Sequence, residues 1–545
     1  MVSFLHTQKE SRVVTFLAVF GLFVVFSLLA FNADLVKVGD IVFLYNRAFQ
    51  IRDCFQHGVY PFLYYEDLGG IGYGTPIFYG QLTLFPFIFF VDDIAVFTKL
   101  YFLACLVLNF FAFRAFIKRI SSYGTLMACF YIFSSVFIAL YTGNLPANVM
   151  AVGWSWLFFA YCIDYFRDGR NLGLCALTYF MIWQSNFNST VLSTLVCFGI
   201  FCVYFKKSEF KRYVLFLGVV LLTIGYNIVN ILTHIDAIYS VPADVMMSVF
   251  NGSSDIRVMS PFPIGGFMFR SLLEVVDMCT GIMSIGLFAI FVYYFSRNIR
   301  QESTRFRVCS LVIILLTAVG HIIGLYSVWP IVYKATNVFF QFPIRYYIYL
   351  FGFVLAILSR VIKPRWFVYV VLAFSIVDIF VVNPFLSDTT MQLEYIGLQL
   401  GNGEYASPDF IQDYDIYMDY STSVHSESGA DYNFTHEYNL VEVDCASNPG
   451  VDVLILPKLY YNGYVAKGEN GERFSVSSGY SNYCMVDIGD YSGKLSLYYE
   501  VPNVVMMFFF IQVFVVGFLV FDLLRSTVWR KFLLWRQKEN NAVVG

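Results

Sequence analysis

The start of the chain decides the fold: residues 13–31 read VVTFLAVFGLFVVFSLLAF. A membrane-spanning helix needs about 20 mainly apolar residues, and this run supplies them. Lys9 and Arg12 precede it, and Lys and Arg mark the cytoplasmic side of a span. A cleaved signal peptide is the alternative, but its apolar region would be only about 7–15 residues long. We therefore predict a retained first helix with the N-terminus in the cytoplasm.

The composition extends this interpretation to the whole chain. Of 545 residues, 58% are hydrophobic and 13% are charged, with a mean hydropathy of +0.66, whereas soluble proteins carry about 25% charged residues. Residues 385–502 hold 18 Asp and Glu against 4 Lys and Arg, while the remainder holds 20 against 31. This asymmetry predicts an acidic, water-facing domain attached to membrane sequence. A concentrated basic face, which nucleic-acid binding requires, is not visible, so no nucleic-acid partner is expected.

Basic clusters alternate with apolar runs along the chain, and this alternation predicts a multi-pass protein with both termini in the cytoplasm. The twelve predicted spans are 13–31, 96–117, 123–142, 147–166, 172–187, 189–205, 213–233, 271–296, 308–328, 340–360, 366–384 and 503–524. The pair within 172–205 has room only for short or broken helices. Gln81–Val91 is too short to span and ends in Asp92-Asp93, so we interpret it as an interfacial or re-entrant helix.

The predicted fold class is a mainly α, polytopic membrane helix bundle of about 12 spans, with a small extracytoplasmic β domain before the last span. Its three parts are a bundle at 1–384 that includes a first outer loop at 32–93, an acidic extracytoplasmic domain at 385–502, and a final helix with a basic cytoplasmic tail at 503–545. We expect it in the cell (plasma) membrane.

Within the acidic domain, residues 440–502 are predicted to be a β module. Val451–Pro457 and Leu495–Val501 have strand composition, and glycine-containing turns separate them. Residues 388–437 are polar and predicted to be irregular. Cys445 and Cys484 both fall in the module, where an oxidising compartment would permit a disulfide. Two unrelated thiols are the equally compatible alternative.

The first outer loop is the segment most informative about chemistry. An apolar stripe at helical spacing is formed by Ile41, Phe43, Leu44, Ala48, Ile51 and Phe55, and Asp40 and Arg47 share one face of that helix. The sequence LGGIGYGTPIFYG follows at 68–80 and is called the glycine loop below. The candidate substrate residues are Arg47 and, in the glycine loop, Gly70, Gly72, Tyr73, Gly74, Pro76 and Tyr79. Glycines permit close backbone approach, and the aromatic rings offer flat surfaces for a sugar or a prenyl chain. A loop that only packs on the bundle is the alternative.

Asp40 lies just outside the first predicted span. A carboxylate there can act as a general base toward a hydroxyl that attacks an anomeric carbon. Asp also commonly caps a helix N-terminus, and that alternative stays open. Four further carboxylates of the first outer loop could act as the base in the same way, namely Asp34, Asp53, Glu66 and Asp67.

A second group of candidate residues lies at the outer mouth of the tenth span, where 337–347 read NVFFQFPIRYY. Arg345 offers a planar fork of donors suited to a phosphate, although an Arg at a membrane edge is often only a snorkelling anchor. Lys334, eleven residues earlier, would supply a second cation. His and Cys residues show no zinc-ligand spacing, so no metal ligand is predicted.

These segments resemble the multi-spanning glycosyltransferases of the GT-C superfamily, and more closely the YfhO-type membrane proteins of bacteria and archaea. The resemblance lies in Gly39-Asp40, in the glycine loop followed by Leu84-Phe85-Pro86-Phe87, in QFPIR at 341–345, and in LILPKLYYNGY at 454–464 with the turns after it. It extends over nearly the whole chain through short motifs.

The resemblance implies a glycosyltransferase that takes a sugar from a polyprenyl-phosphate donor, with inversion, on the outer face of the membrane. The acceptor would be a cell-envelope glycan, lipid or protein. Asp40 takes the position of the catalytic carboxylate, and Arg345 that of a residue near the lipid phosphate. No cofactor is firmly implied. Where relatives carry a second acidic residue or a His after this Asp, the present chain has Ile41-Val42-Phe43, so the use of a divalent metal is left open.

A membrane transporter or a lipid flippase for envelope precursors is the competing function. Such proteins often carry internal repeats and charges at the membrane midplane. The intramembrane acids here are few, and most lie near predicted helix ends; they are Asp164, Glu274, Asp277 and Asp378. A structural or assembly factor ranks third, because twelve spans exceed what an anchor needs.

Overall fold

The computed structural model describes residues 20–21, 39–65, 72, 74–121, 123–133, 146–234, 293, 295–304, 306–313, 344–361, 423–448, 450–479 and 482–544. These residues fall into two compact units. The first, called the bundle unit, holds the described residues up to 45 and those within 89–210 and 293–361. The second, called the outer unit, holds those within 46–88, 211–234 and 423–544.

Helices make up most of the described chain. In chain order the α-helices are α1 Gly39–Gln56, α2 Thr75–Phe78, α3 Ile94–Ile117, α4 Gly124–Phe133, α5 Pro146–Asp168, α6 Leu172–Trp183, α7 Phe187–Tyr204, α8 Phe210–Thr233, α9 Ile344–Val361 and α10 Asn503–Val544. Three 3-10 helices join them, at Phe85–Phe90, Lys207–Glu209 and Ile299–Gln301.

Five stretches of helix are long and apolar enough to cross a membrane: Ile94–Ile117, Ala147–Asp168, Phe187–Tyr204, Lys207–Thr233 and Asn503–Arg525. Each coincides with one predicted span, which supports a membrane protein. The predicted spans 13–31, 271–296 and 366–384 lie outside the described residues, apart from positions 20–21, 293 and 295–296. The spans predicted at 123–142, 308–328 and 340–360 are described only in part.

The expectation of short or broken helices within 172–205 holds for α6 only, since α7 is long enough to cross a membrane. Gln81–Val91 also forms only a short helix, and its interfacial or re-entrant placement stays a prediction. The segment 172–187 forms a helix of 12 residues, α6, and at 1.5 Å per residue this helix is about 18 Å long, well under the bilayer core of about 30 Å. Gln81–Val91 contains a six-residue 3-10 helix, Phe85–Phe90, and the next helix, α3, begins after the cap residue Asp93.

Aromatic side chains fill the centre of the bundle unit. Trp156 on α5 is fully buried and contacts Phe113 of α3, Tyr131 of α4 and Phe353 of α9 at ring-centroid distances of 4.9, 5.9 and 5.2 Å. Gly352 allows this packing, because a Cβ atom there would lie 2.3 Å from Trp156 Cζ2.

Within the described residues, the β module has nine strands in two antiparallel sheets. The strands are β1 His425–Ser426, β2 Asn433–Glu437, β3 Leu440–Asp444, β4 Asp452–Leu459, β5 Tyr464–Gly468, β6 Arg473–Phe474, β7 Val476–Ser478, β8 Tyr483–Gly489 and β9 Lys494–Tyr499. One sheet has the order β1-β4-β8-β7, and the other has the order β2-β3-β9-β5-β6. Alternating buried residues, such as Val441 and Val443 on β3, form its core.

The β structure begins earlier than the predicted boundary at 440. Strands β1 and β2 fall within 388–437, which the sequence predicted to be irregular. Strand β2, with the sequence NFTHE, is an edge strand that pairs only with β3 among the described strands. An edge strand exposed on one face needs little hydrophobic sequence, so composition gave no signal for it.

Cys445 and Cys484 are both free and buried thiols. Cys484 lies in β8, and Cys445 follows β3 of the other sheet. The structure therefore favours two separate thiols over the disulfide alternative. Burial, with a smaller contribution from the nearby carboxylates, raises the pKa of Cys445 to about 11, so this thiol stays protonated at neutral pH.

Candidate functional site

Helix α1 is the first element of the site. Its apolar stripe is confirmed, because Ile41, Leu44, Ala48 and Ile51 are all buried, whereas Phe55 is 41% exposed. Asp40 lies in the first turn of this helix, and its side chain lies outside the described part of the structure. Asp40 as the base therefore stays a prediction.

Arg47, on the same helix, is 1% exposed. Its Nη2 donates a hydrogen bond to the carbonyl oxygen of Gly80 at 2.7 Å, and its guanidinium carbon lies 4.9 Å from the centroid of the Tyr79 ring. A charge-assisted bond to a buried carbonyl is stronger than a neutral one. Arg47 therefore holds the C-terminal end of the glycine loop to α1.

The glycine loop is tightly packed at its described positions. The amide of Gly74 donates to the hydroxyl oxygen of Tyr461 at 2.8 Å, and a Cβ atom on Gly74 would lie 2.5 Å from Tyr461 Cε1. Gly72 has φ +82°, a left-handed conformation that favours glycine. Pro76 lies in the first turn of α2, where its missing N–H costs nothing. Gly70 and Tyr73 lie outside the described residues.

A cluster of polar side chains surrounds the C-terminal end of α1. His57 Nδ1 lies 3.0 Å from the carbonyl oxygen of Asp53 and 3.6 Å from its Oδ1. The imidazole stacks on the ring of Tyr438, with centroids 4.1 Å apart and an interplanar angle of 18°. Half of the His57 side chain is exposed. This arrangement brings together Asp53, one of the alternative bases, and an accessible imidazole.

Tyr438 lies in the turn between β2 and β3 with φ +54°, a conformation in which a side chain is strained. Burial raises the pKa of its hydroxyl, and the neighbouring Cys54 and Asp53 add to this effect. Burial likewise raises the pKa of the Cys54 thiol to about 12. Both groups stay protonated at neutral pH, so neither is an activated nucleophile.

Lys458 is, with Arg47, one of the two buried cations of the described site. It is fully buried in β4, and its Nζ donates to the carbonyl oxygen of Tyr438 at 2.6 Å and to that of Tyr65 at 3.5 Å. Burial of a cation is costly unless hydrogen bonds offset it, and these carbonyl oxygens provide such bonds.

The predicted donor-phosphate residues are not described. Lys334 lies outside the described residues, and Arg345 falls in the first turn of α9 without a described side chain. Among the candidate substrate residues, Arg47 contacts Tyr79 and Gly80, and Gly72 and Gly74 pack against the β module.

Sequence reasoning missed Tyr461, which bonds to the glycine loop, and also Lys458 and Tyr438, which contact Tyr65 just before the loop. One signal was present: Pro457 interrupts an otherwise strand-like run, and a proline within a strand marks a bulge or an edge.

Comparisons of the chain with protein families, curated proteins and solved structures find no match. Among the described residues, no group of three or more His, Cys, Asp and Glu side chains is placed to hold a metal ion. Function is therefore inferred from the residues of the site and from the motif resemblance.

Proposed function

We propose that the protein is a membrane glycosyltransferase of the GT-C type. It moves a sugar from a polyprenyl-phosphate donor to an extracytoplasmic acceptor of the cell envelope, with inversion at the anomeric carbon. The first outer loop supplies the substrate residues, and the bundle supplies the membrane frame for a lipid-linked donor.

The proposed reaction is a single displacement. The acceptor hydroxyl oxygen attacks the anomeric carbon from the face opposite the phosphate, and Asp40 takes the hydroxyl proton as the new bond forms. The bond between the anomeric carbon and the phosphate oxygen breaks, and the polyprenyl phosphate leaves with the electron pair. Arg345 and Lys334 bind the charge that develops on this phosphate.

One observation supports this proposal above the others. Two of the motifs that carry the resemblance, the glycine loop and the segment 454–464, lie 387 residues apart at Gly74 and Tyr461 and yet are joined by a buried hydrogen bond. A buried partner holds Gly74 in place, and a substrate site requires residues that are held in this way. A loop that merely connects two helices needs no such partners.

The test uses purified full-length protein in lipid vesicles with a panel of polyprenyl-phosphate-linked sugars and an envelope extract as the source of acceptors. Mass spectrometry measures released polyprenyl phosphate, with and without a chelator to reveal any use of a divalent metal. Release above empty vesicles is expected for at least one donor. Movement of intact donor across the bilayer, without cleavage, would contradict the proposal and identify a flippase.

Arg345→Lys separates phosphate binding from membrane anchoring. A point charge replaces a bidentate fork, so the apparent KM for the donor should rise, whereas an anchoring residue would tolerate Lys. Arg525→Lys is the matched control, because Arg525 is exposed and pairs with Asp522 one turn away. An unchanged donor dependence in Arg345→Lys would direct the phosphate role to Lys334 or to another cation.

The proposed orientation places both termini in the cytoplasm and residues 385–502 outside. A cysteine introduced at Ser421 should then react with an impermeant thiol reagent in intact cells, beyond the background of the parent chain. A cysteine introduced after Arg525 should not. The opposite labelling pattern would invert the topology and remove the reaction from the outer face.

A further inference from the structure

Strand β4 is irregular at the point where it faces the outer loop. Pro457 has no N–H to donate, and the register with β8 shifts between Leu456 and Leu459. As a result the alternation of buried and part-buried side chains stops, and four successive residues from Leu456 to Leu459 are buried. Lys458 keeps the phase of the buried residues Leu454 and Leu456, so the alternation of the strand points this lysine side chain into the protein.

The side chain of Lys458 reaches Tyr65, which lies just before the glycine loop. Lys458 Nζ donates to the carbonyl oxygens of Tyr438 and Tyr65 at 2.6 and 3.5 Å. The ring of Tyr438 in turn lies 5.1 Å from that of Tyr65. Tyr65 is thus contacted both at its carbonyl oxygen, by Lys458, and at its ring, by Tyr438.

Three residues further along the same segment, Tyr461 holds the other side of the loop. Its hydroxyl oxygen accepts the Gly74 amide hydrogen at 2.8 Å, and its ring occupies the space that a Cβ atom on Gly74 would need. Tyr461 is 1% exposed. Both contacts therefore come from one short piece of the β module and are shielded from water.

We infer that Lys458 and Tyr461 are positioning residues for the glycine loop, and that the β module acts as a clamp on the proposed substrate site. Because Lys458 and Tyr461 belong to one short segment, together they fix positions 65 and 74 relative to each other. The inference rests on the proposed function where it concerns turnover, but the positioning itself is measurable without any substrate.

Tyr461→Phe tests this clamp, and Tyr464→Phe is its matched control. The first variant keeps the ring and removes the acceptor of the Gly74 amide. The second removes a buried hydroxyl that has no hydrogen-bond partner among the described residues. Hydrogen exchange of peptides within 66–80 should speed up roughly 3- to 10-fold in Tyr461→Phe and stay at the parent rate in Tyr464→Phe.

Lys458→Met extends the test to the other side of the loop, with Lys467→Met as its control. Lys467 lies on β5 and pairs with Glu500, which is half exposed. Faster exchange near Tyr65 is expected for Lys458→Met only. If this variant fails to fold, Tyr461→Phe still decides the question.

Turnover separates the two proposals. With an active parent, Tyr461→Phe should lower kcat/KM by a factor similar to its change in exchange, and Tyr464→Phe should not. Parent-like exchange in Tyr461→Phe would overturn the clamp while leaving the transferase proposal in place. Faster exchange in a protein that cleaves none of the donors would support the clamp and overturn the transferase.

Discussion

The two compact units treat their buried polar groups differently. In the bundle unit, Ser155 lies between Ser193 and Tyr349, with oxygen–oxygen distances of 2.8 and 3.0 Å, so neutral groups satisfy one another. In the outer unit the buried groups include the cations Arg47 and Lys458, each bonded to main-chain carbonyls. Pairs of neutral hydroxyl groups stabilise contacts between helices. A buried charge, in contrast, requires hydrogen-bonding partners placed around it.

This difference concerns how the glycine loop is held, because both of these buried cations lie in the outer unit. The proposed base Asp40 and the proposed phosphate-binding residue Arg345 belong to the bundle unit. Substitutions of buried neutral groups in the bundle unit should change stability without a specific effect on the glycine loop. Substitutions of the outer-unit residues that bond to the loop or to Tyr65 should change the loop directly. The predictions below are ordered from the largest expected effect to the smallest, and each can break or sharpen this division.

Gly352→Ala should have the largest effect, and it should act on the bundle unit. The added methyl group would lie 2.3 Å from Trp156 Cζ2 and 3.1 Å from Phe113 Cε2, two rigid rings. Overpacking of this kind costs about 3 kcal/mol, so most of the folded protein should be lost in size-exclusion profiles. Gly199→Ala is the control, because a Cβ atom there would meet nothing within 4 Å, and this variant should elute like the parent. If Gly352→Ala and Gly199→Ala gave the same elution profile, the described packing of the bundle unit would be contradicted.

Arg47→Met should destabilise the outer unit by about 2 kcal/mol, because a buried charge-assisted bond to Gly80 is lost. The measurement is Tm together with hydrogen exchange of peptides near Gly80, which should speed up. Arg52→Met is the control, since Arg52 is half-buried on the same helix and its guanidinium lies over the ring of Phe49. A parent-like exchange rate near Gly80 in Arg47→Met would show that Arg47 does not hold the loop.

Asp452→Asn should destabilise the β module by about 1.5 kcal/mol, through loss of charge-assisted hydrogen bonds. Asp452 is buried and accepts bonds from the hydroxyls of Ser426, Ser428 and Tyr432 at 2.6–2.7 Å. Burial by itself would raise the pKa of Asp452, but these bonds outweigh it and hold the pKa well below its ordinary range.

A lowered pKa in the folded state gives a defined pH dependence. The stabilisation is fully present above the unfolded carboxyl pKa of about 3.9 and is lost as the pH falls from there toward the folded value. Because the unfolded pKa is about 3.9, the Tm difference between the parent and Asp452→Asn should be constant between about pH 5 and about pH 7. The difference should shrink as the pH falls below about 3.9. A difference that grows on acidification would contradict the hydrogen-bonded carboxylate.

Ser155→Ala should have the smallest effect. Hydrogen bonds between membrane helices average about 0.6 kcal/mol, so Tm should fall only slightly. Hydrogen exchange of the glycine loop should stay at the parent rate. A change in that exchange comparable with Tyr461→Phe would mean that the bundle unit and the loop are coupled, against the division drawn here.

The sequence predicted the elements whose hydrophobic period is strong. The stripe of α1 and the apolar runs of α3, α5, α7, α8 and α10 follow from spacing and length. The polar edge strand β2 lacked such a period, so it was missed. The shortness of the run at Gln81–Val91 predicted a helix that does not span the membrane, and the structure has a 3-10 helix there, at Phe85–Phe90.

The contacts of the site were not predictable in the same way. The sequence indicated that the glycines of the loop permit close approach, but not that Tyr461, 387 residues from Gly74, provides it. Arg47 was a candidate because it shares a helix face with Asp40, and only the fold shows that its guanidinium is buried against Gly80. Long-range pairing depends on tertiary packing, which a local pattern does not specify.

The most direct test of the transferase proposal is turnover of a polyprenyl-phosphate-linked sugar by Asp40→Asn, compared with Asp93→Asn. Asp93 is a helix cap, because its Oδ1 accepts the amides of Ala95 and Val96 at 2.8 and 3.2 Å, and Asn caps about as well as Asp. If Asp40 is the general base, Asp40→Asn should lose about 10²–10⁴ in kcat with a parent-like Tm, while Asp93→Asn stays active. Turnover in Asp40→Asn as high as in Asp93→Asn would make Asp40 a cap and contradict its assignment as the base.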